Sequence, residues 1–454
     1  MTTFCTRAEM TSEGAPIQAR AVDGGGGGDE RTESVITTSD LQNTYSDSFF
    51  DGKISLPNLE HLGLHSVGSF KWIWHDELSR SSFCKLATIT IQNCSDLLHI
   101  FPSTIIGGLT SLQSVKVFNC PSLKSLFDFG SLDSNTEQTV VLLLKLVSIN
   151  IGSCPSLESL FNCGSLDSND KVVLLPKLEE VSVSGAKRLS YLFSKYTATT
   201  LVKLRKLNIT KCKQMKQVIL EKEASRSEAK VMSLSCLSEL TLKELDNLIS
   251  FGSGSCSYYF SSLQDLRIVG CCNFRVFISS PTSVKTQLGG TAKENDKSPQ
   301  PLFNEMVTFP NITSLEINGL QCKELWNNQI PIDSFQKLES LELNNCDNLR
   351  HIATSYMWKK LQRCLKKLKV FSCRSIEIIY DSDGTDTKSG ELRRLALRDL
   401  ENLRCIWQSN SLPNIPFPNL IDIEAVRCPR LEMLFPTFTS KSKSWWWSHV
   451  KIWN

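Results

Sequence analysis

The chain has 454 residues, of which 41% are hydrophobic and 21% charged, and its formal net charge at pH 7 is only +3. This composition is typical of a globular protein, and the small net charge argues against general binding of nucleic acids or membrane surfaces. The longest apolar run, residues 140–147, contains Lys145 and is too short to cross a bilayer. Since the first residues lack the apolar segment of a signal peptide, we expect a cytoplasmic protein, with the nucleus as a second location.

Residues 1–52 differ in character from the rest of the chain. They are polar, rich in serine and threonine, and contain the glycine run from Gly24 to Gly28. Because this segment has too few apolar side chains to form a core, we predict a disordered N-terminal segment. The glycine run does not resemble a phosphate-binding loop, since no Lys-Ser or Lys-Thr pair follows it.

A repeated pattern occupies the chain from residue 53 to about residue 440. Thirteen times between Leu56 and Leu434, the sequence approximates apolar-x-x-apolar-x-x-apolar-x-apolar-x-x-Cys-x-x-apolar. A complete example consists of Phe335, Leu338, Leu341, Leu343, Cys346 and Leu349. The central part, L-x-x-L-x-L-x-x-N/C, is the signature of leucine-rich repeats.

The apolar residue that opens each L-x-L stretch marks the register of its repeat. Most of these marks follow one another at steps of 26–28 residues. Four longer steps predict insertions near 128–142, 162–174, 220–233 and 279–308. The marks are Leu62, Ile89, Val115, Ile149, Val181, Leu207, Leu240, Leu266, Leu315, Leu341, Leu368, Leu395 and Ile423.

The alternation apolar-x-apolar predicts a short strand with one buried face, and the apolar spacings of three predict tight turns. About six apolar side chains per repeat contribute roughly 1.5–3 kcal/mol each, whereas ordering the backbone costs about 1–2 kcal/mol per residue. One repeat therefore cannot fold alone and must stack on its neighbours. We predict an α/β solenoid, a leucine-rich-repeat horseshoe of about 13 repeats with a concave parallel β-sheet and a mostly irregular or 3₁₀ convex side.

Two neighbouring insertions are related to each other. Residues 120–135 and 154–169 agree at 13 of 16 positions, which indicates a recent duplication. The longest insertion, residues 279–308, is the best candidate for a mobile surface loop. After the repeats, residues 441–454 form a Lys/Ser/Trp tail with four tryptophans, predicted to be either an aromatic anchor or a truncated or misjoined end.

Eight of the 17 cysteines occupy the same position, just after the strand of their repeat. We expect a row of reduced, buried thiols that pack and contact turn carbonyls. The odd total and the absence of a C-x-x-C pair favour a reducing compartment over a disulfide framework. The eight are Cys94, Cys120, Cys154, Cys212, Cys271, Cys346, Cys373 and Cys428.

Four longer phrases carry a family resemblance: LPKLEEVSVSGAKRL (175–189), FPNITSLEINGLQCKELW (309–326), LRRLALRDLENLRCIW (392–407) and FPNLIDIEAVRCPRLEMLF (417–435). They resemble the C-terminal leucine-rich repeats of plant nucleotide-binding disease-resistance proteins of the coiled-coil class. Repeats that end in tryptophan, such as those with Trp326 and Trp407, strengthen the resemblance. It covers roughly residues 53–436.

The resemblance implies a protein-binding recognition module of plant innate immunity. Its partner would be a pathogen effector, a guarded host protein, or a nucleotide-binding receptor domain in trans. The chain departs from the family because it lacks G-x-x-x-x-G-K-[ST]; its Gly52-Lys53 pair is followed by Ile54. The nucleotide-binding domain is therefore expected to be absent.

The sequence leaves two alternatives open. Cysteine-bearing repeats of similar length also occur in the substrate-receptor part of F-box-type ubiquitin ligases, although neither an F-box nor the Ile/Leu-Thr-Asp continuation after the cysteine is present. The chain could also be a non-functional receptor gene fragment. Neither the ligand nor the oligomeric state follows from the sequence.

The side chains that alternate with the buried ones on the late strands form a candidate binding site. Repeats 11 and 12 present Lys367, Lys369, Phe371, Arg394 and Arg398, a basic patch with an aromatic centre. Such a patch would dock an acidic segment of a protein partner, since arginine suits bidentate contacts with carboxylates. The alternative interpretation is a solvated face whose charges pair across strands, as between Glu342 and Lys369.

Catalysis and metal binding have little support in the sequence. His61 and His65 lie two residues either side of Gly63 on the first strand, but no third ligand is near them. We find no G-x-S-x-G, H-E-x-x-H or kinase signature. We therefore predict that the protein is not an enzyme and has no catalytic residues, cofactor, bound metal, nucleic-acid partner or membrane span.

Overall fold

The computed structural model describes residues 2–7, 19–23, 35–36, 47–50, 52–68, 70–79, 81–129, 140–162, 172–221, 231–254, 256–279, 300–382, 390–409, 417–432 and 450–453. The chain forms two compact units, Met1–Met215 and Lys216–Asn454.

The first unit consists of short strands and two short helices. Its elements are β1 (Thr2–Arg7), β2 (Ala19–Asp23), β3 (Val35–Ile36), β4 (Leu59–His65), β5 (Thr88–Gln92), β6 (His99–Pro102), α1 (Ser103–Ile106), β7 (Ser114–Phe118), β8 (Ser125–Asp128), β9 (Val140–Leu142), β10 (Ser148–Gly152), β11 (Ser159–Asn162), β12 (Val172–Leu174), β13 (Glu180–Ser184), β14 (Phe193–Ser194), α2 (Lys195–Thr199) and β15 (Lys206–Thr210).

The second unit has the same character. Its elements are β16 (Ile219–Leu220), β17 (Val231–Ser233), β18 (Glu239–Lys243), β19 (Gly252–Ser253), β20 (Ser257–Tyr259), β21 (Asp265–Val269), β22 (Ile278–Ser279), β23 (Val307–Thr308), β24 (Ser314–Asn318), β25 (Ser340–Asn344), α3 (Ser355–Leu361), β26 (Lys367–Phe371), β27 (Ile378–Ser382), β28 (Arg394–Arg398), β29 (Cys405–Ser409), β30 (Asp422–Val426) and β31 (Val450–Trp453).

A parallel main sheet runs through each unit, with one strand from each repeat. In the first unit, β4, β5, β7, β10, β13 and β15 pair in that order. In the second, β18, β21, β24, β25, β26, β28 and β30 pair in that order. Equivalent residues lie opposite each other, as Ile149 does between Val115 and Val181. The predicted leucine-rich-repeat solenoid of 13 repeats is confirmed.

The spacing of apolar residues explains how each repeat turns. Within β10, Ile149 and Ile151 are at most 1% exposed, so the residues between them form the open face of the main sheet. The apolar pairs three residues apart close tight turns on both sides of the strand. Leu146 N–H donates to Leu143 O at 3.3 Å before β10, and Leu157 N–H donates to Cys154 O at 3.1 Å after it.

The residue that leaves each main strand has a left-handed backbone. Asn93, Asn119 and Ser153 all have φ of 55°, and Gly185 has φ of 72° at the equivalent position. Left-handed geometry is costly for residues with a Cβ and is tolerated best by glycine and asparagine. This turn directs the chain out of the sheet and towards the cysteine position.

Additional short parallel ladders lie outside the main sheets. In the first unit, β6, β8 and β11 form one ladder and β9 and β12 another. In the second unit the ladders are β17-β20-β23, β19-β22 and β27-β29. The sequence predicted mostly irregular or 3₁₀ structure outside the concave sheet, so these ladders were not expected. No described helix has the length and hydropathy needed to cross a membrane.

Stacked aromatic rings follow the β6-β8-β11 ladder of the first unit. Phe127 is fully buried, and its ring lies 4.8 Å from that of Phe101 and 5.3 Å from that of Phe161. The stack continues to Trp74 on one side and Phe193 on the other. Each ring belongs to a different repeat, so the stack contributes to the contact between repeats.

The ends and insertions of the chain are only partly described. Within the predicted disordered segment 1–52, β1 pairs with β2 and with β4, and Phe49 and Phe50 donate backbone hydrogen bonds to Trp72 and Ile73. Those strands and contacts were not predicted. The four predicted insertions lie largely outside the described residues. Of the tail 441–454, only β31 is described, and it pairs with β30.

A polar cluster surrounds His99 on the β6-β8-β11 ladder of the first unit. The His99 ring stacks on Trp72 at 5.1 Å, and its Nδ1 lies 2.6 Å from Ser125 Oγ and 3.2 Å from Asp128 Oδ2. Asn162 Nδ2 donates to Asp128 Oδ1 at 3.0 Å. Burial lowers the pKa of His99, and the negative charge of Asp128 opposes that shift.

Replacing Phe127 by alanine should destabilise the protein strongly. The substitution leaves a cavity between two stacked rings, and such changes cost about 3–5 kcal/mol. Urea unfolding measures the loss. Tyr196, whose side chain is 40% exposed, provides the control; Tyr196→Ala should change the unfolding free energy by only about 0.5 kcal/mol. Similar losses in the two variants would contradict the buried stack.

The His99 cluster predicts a pH-dependent stability. Because the pKa of His99 is lowered in the folded protein, the unfolded chain binds a proton first as the pH falls below about 6.5, and the unfolding free energy decreases. Lys124 adds to this effect, while Asp128 and Glu158 reduce it. His99→Gln should show a smaller decrease than the wild type between about pH 7.5 and about pH 5.5. Identical pH profiles in urea unfolding would disprove the assignment to His99.

Candidate protein-binding site

The five residues predicted as a basic patch come together on two neighbouring strands. Strands β26 and β28 pair in register, with Lys367 opposite Arg394 and Phe371 opposite Arg398. Leu368 and Val370, which alternate with them, are fully buried, so the five side chains share the open face of the main sheet. The sequence placed these residues on the same face, and the register brings them next to one another.

Two of the predicted cations are neutralised by neighbouring strands. Lys369 Nζ donates to Glu342 Oε2 at 2.9 Å, and Arg398 Nη2 donates to Glu424 Oε1 at 2.7 Å. The Arg398 guanidinium also lies 5.3 Å from the centre of the Phe371 ring. Partly exposed pairs of this kind contribute roughly 0–1 kcal/mol each. The predicted Glu342–Lys369 ion pair is present. Lys369 and Arg398 thus agree with the alternative interpretation, a solvated face whose charges pair across strands.

Lys367 and Arg394 differ from the other two cations. Both side chains are exposed, and neither forms a hydrogen bond or an ion pair with another described residue. They are direct neighbours across the strand pair, so two positive charges without an ion-pair partner among the described residues lie side by side. Asp422 lies opposite Arg394 on the following strand but forms no ion pair with it. The available charge of the patch is concentrated at the N-terminal ends of β26 and β28.

The structure adds two residues that the sequence analysis missed. Arg393, just before β28, is exposed and has no ion pair among the described residues, and Ile421, just before β30, is 61% exposed. The backbone N–H of Ile421 donates to Arg393 O at 2.9 Å, so the two are neighbours. Each of the two residues directly precedes the first open-face position of its strand, so the alternation within the strand did not include it.

His61 and His65 do not form a metal site with other described residues. His61 Nδ1 lies 2.5 Å from Thr88 Oγ1 of the next strand, so this ring is engaged in a hydrogen bond. Within the described part of the chain, no group of three or more His, Cys, Asp or Glu side chains could hold a metal ion. The expectation that the protein binds no metal stays a prediction.

The row of cysteines has the geometry that the repeat pattern predicted. In all eight, Sγ lies 3.3–3.6 Å from the carbonyl oxygen two residues earlier and can donate to it. Seven of the eight are buried, and Cys428 is half-buried. Burial raises the pKa of Cys212 to about 12 and that of Cys271 to about 12, so these thiols stay protonated at neutral pH. Their packing role is structural.

A family model for the leucine-rich repeats of plant disease resistance proteins of the RPS2-like type matches residues 58–213 and 311–443. The matched stretches contain more than half of the chain and include all five residues of the patch. The chain belongs to this family. Leucine-rich-repeat families of this kind are generally non-catalytic protein-interaction modules, which is consistent with an exposed sheet face and a core of structural residues.

Solved structures show a more distant similarity. The leucine-rich repeat domain of the type III effector XopL is 18% identical, covering 52% of this chain and 76% of that chain at a TM-score of 0.26. TLR13 in its complex with ssRNA13 is 14% identical, covering 88% and 74% at 0.15. The pneumococcal vaccine antigen PcpA is 12% identical, covering 92% and 93% at 0.15. No curated protein matches the chain. At these values, the structural similarities say nothing about function.

The thiol row predicts a selective pattern of chemical labelling. Cys236 and Cys272 are exposed, so an aromatic disulfide reagent should modify them rapidly in the folded protein. The Cys236→Ser/Cys272→Ser variant should lose the rapid labelling of the peptides that contain those two positions, whereas Cys120→Ser should retain it because Cys120 is buried. Mass spectrometry of peptides shows which cysteines are labelled. Rapid labelling of the eight cysteines of the row would contradict their buried geometry.

Proposed function

We propose that this protein is a recognition module of plant innate immunity that binds a pathogen effector or a guarded host protein through the open face of its main sheet. Membership of the plant disease resistance family supports this proposal. A nucleotide-binding receptor domain supplied in trans is the third candidate partner. Such partners would be met in the cytoplasm or the nucleus.

The observation that carries the proposal is that Lys367 and Arg394 are neighbouring cations and that neither has an ion-pair partner among the described residues. An ion pair already formed within the protein must be broken before either of its members can bind a partner, and breaking it offsets the gain. Lys367 and Arg394 need no such exchange. They are the cations of the predicted patch that are available to an incoming carboxylate.

The surroundings of this pair suit a protein ligand. Arg394 and Arg393 offer guanidinium groups for bidentate contacts with carboxylates, and Ile421 offers exposed apolar surface beside them. Interfaces between proteins combine apolar anchors with arginine in this way. The proposed ligand is therefore an acidic segment of a partner protein with an apolar side chain next to its carboxylates.

The alternative of a ubiquitin-ligase substrate receptor has less support. The family model that matches the chain describes repeats of plant disease resistance proteins. No described feature of the structure favours an F-box protein.

Reversing the charge of the two free cations should weaken partner binding. We expect Lys367→Glu/Arg394→Glu to reduce capture of specific partners from leaf extracts by about tenfold, because the change replaces attraction by repulsion. The tagged full chain serves as bait, and quantitative mass spectrometry compares infected with uninfected tissue. A protein captured only from infected tissue would be an effector, whereas one captured from both would be a host partner.

A matched variant separates the site from general charge effects. Lys323→Glu/Arg350→Glu makes the same change in net charge at two exposed positions away from the patch, and should leave the capture unchanged. If the same proteins were recovered in equal amounts with all three baits, the patch would not be the binding site. Recovery of ubiquitin-ligase core subunits would favour the alternative function.

A further inference from the structure

A second exposed surface lies at the turns that lead into β10, β13 and β15 of the first unit. Each turn closes with the same backbone hydrogen bond, at 3.3 Å, 3.2 Å and 3.3 Å in the three repeats. The two central residues of each turn are an apolar residue followed by a lysine. We call these six residues the basic rim: Leu144, Lys145, Pro176, Lys177, Val202 and Lys203.

The three turns are stacked on one another. Immediately after them, Glu179 N–H donates to Val147 O and Arg205 N–H donates to Glu179 O, both at 2.8 Å. Equivalent residues of neighbouring repeats are therefore separated by about one strand spacing, roughly 4.8 Å. The basic rim consequently has two parallel rows, one of lysines and one of apolar side chains.

Both rows are accessible. Leu144 and Val202 are each 50% exposed, and the three lysines are exposed without a hydrogen bond or an ion pair to any described residue. An earlier lysine at the same turn position, Lys85, instead donates to Asn58 Oδ1 at 2.9 Å. Lysines without a described ion-pair partner thus occur in three consecutive repeats, beside exposed apolar side chains in the first and third and beside the half-exposed Pro176 in the second.

We propose that the basic rim binds an acidic amphipathic helix of a partner protein. Helix residues four apart are separated by about 6 Å along the axis, so a stripe of carboxylates at that spacing can follow the lysine row. An adjoining apolar stripe of the same helix covers Leu144 and Val202. This surface lies in the first unit and is independent of the Lys367–Arg394 pair in the second.

The local charges favour a helix over a membrane or a nucleic acid. Glu180 is exposed and Glu179 is half-exposed close to Lys177, and the Glu179 carboxylate lies 4.0 Å from Arg205 Nε. A membrane or a nucleic acid presents a broad anionic surface, and its negative charges would be repelled by the carboxylates of Glu179 and Glu180. A single helix, with a diameter of about 10 Å, can contact the two rows and avoid them.

Binding of a defined peptide tests this proposal. The probe is a fluorescent helical peptide of about 16 residues with Glu at i, i+4 and i+8 and Leu at i+3, i+7 and i+11. Fluorescence anisotropy with the full chain should show binding that weakens as salt is added. Lys145→Glu/Lys177→Glu/Lys203→Glu should weaken it by at least about tenfold. Leu144→Ser/Val202→Ser should also weaken it while the melting temperature stays unchanged.

Several controls make the result specific. Lys124→Glu/Lys187→Glu/Lys213→Glu carries the same charge change at exposed positions outside the basic rim and should leave the affinity unchanged. Lys367→Glu/Arg394→Glu should weaken the binding of this peptide much less than the basic-rim lysine triple does, which separates this proposal from the proposed function. Equal weakening by both lysine triples, no measurable binding, or tighter binding of phosphatidylserine vesicles or duplex DNA than of the peptide would each overturn the proposal.

Discussion

Pairing of equivalent strands without any offset is the constraint on which the other features depend. Leu341 lies opposite Leu315 on one side and Leu368 on the other, although the three are at least 26 positions apart in the sequence. Each position of the repeat therefore becomes a row that crosses the strands. Rows of leucine and isoleucine form the core, a row of thiols follows the strands, and aromatic rings stack with their equivalents. Stability comes from contacts between like residues of successive repeats.

The same stacking supports a backbone geometry that would be unfavourable in isolation. Asn93 and Asn119 leave their strands with left-handed φ values, which cost about 1–2 kcal/mol for an average residue with a Cβ and less for asparagine. Their N–H groups donate to Phe118 O at 3.0 Å and Gly152 O at 2.9 Å in the next repeat. Asn119 Nδ2 also donates to Asn93 Oδ1 at 3.0 Å. The next repeat thus stabilises the turn of the one before it.

The rows also decide which charges remain available for binding. Where unlike charges are neighbours in a row, as Glu342 and Lys369 are, they neutralise each other. Where like charges are neighbours, as Lys367 and Arg394 are, they do not neutralise each other. Asp422 lies opposite Arg394 on its other side, but neither cation forms an ion pair with a described residue, and both side chains remain exposed. On the open face of these strands, the pairing of a charge depends on the residue that lies near it one repeat away.

The sequence by itself determined the repeat architecture, the 13 main strands, the thiol position and the common face of Lys367, Lys369, Phe371, Arg394 and Arg398. These features follow from local spacing, since an alternation of two and a constant period fix which side chains are buried. Only the tertiary structure decided the additional ladders, the ion pair between Arg398 and Glu424, and the exposure of Ile421. It also decided between the two interpretations of Lys369 that the sequence left open. Those outcomes depend on contacts between residues about one repeat apart, and spacing within a single repeat carries no information about them.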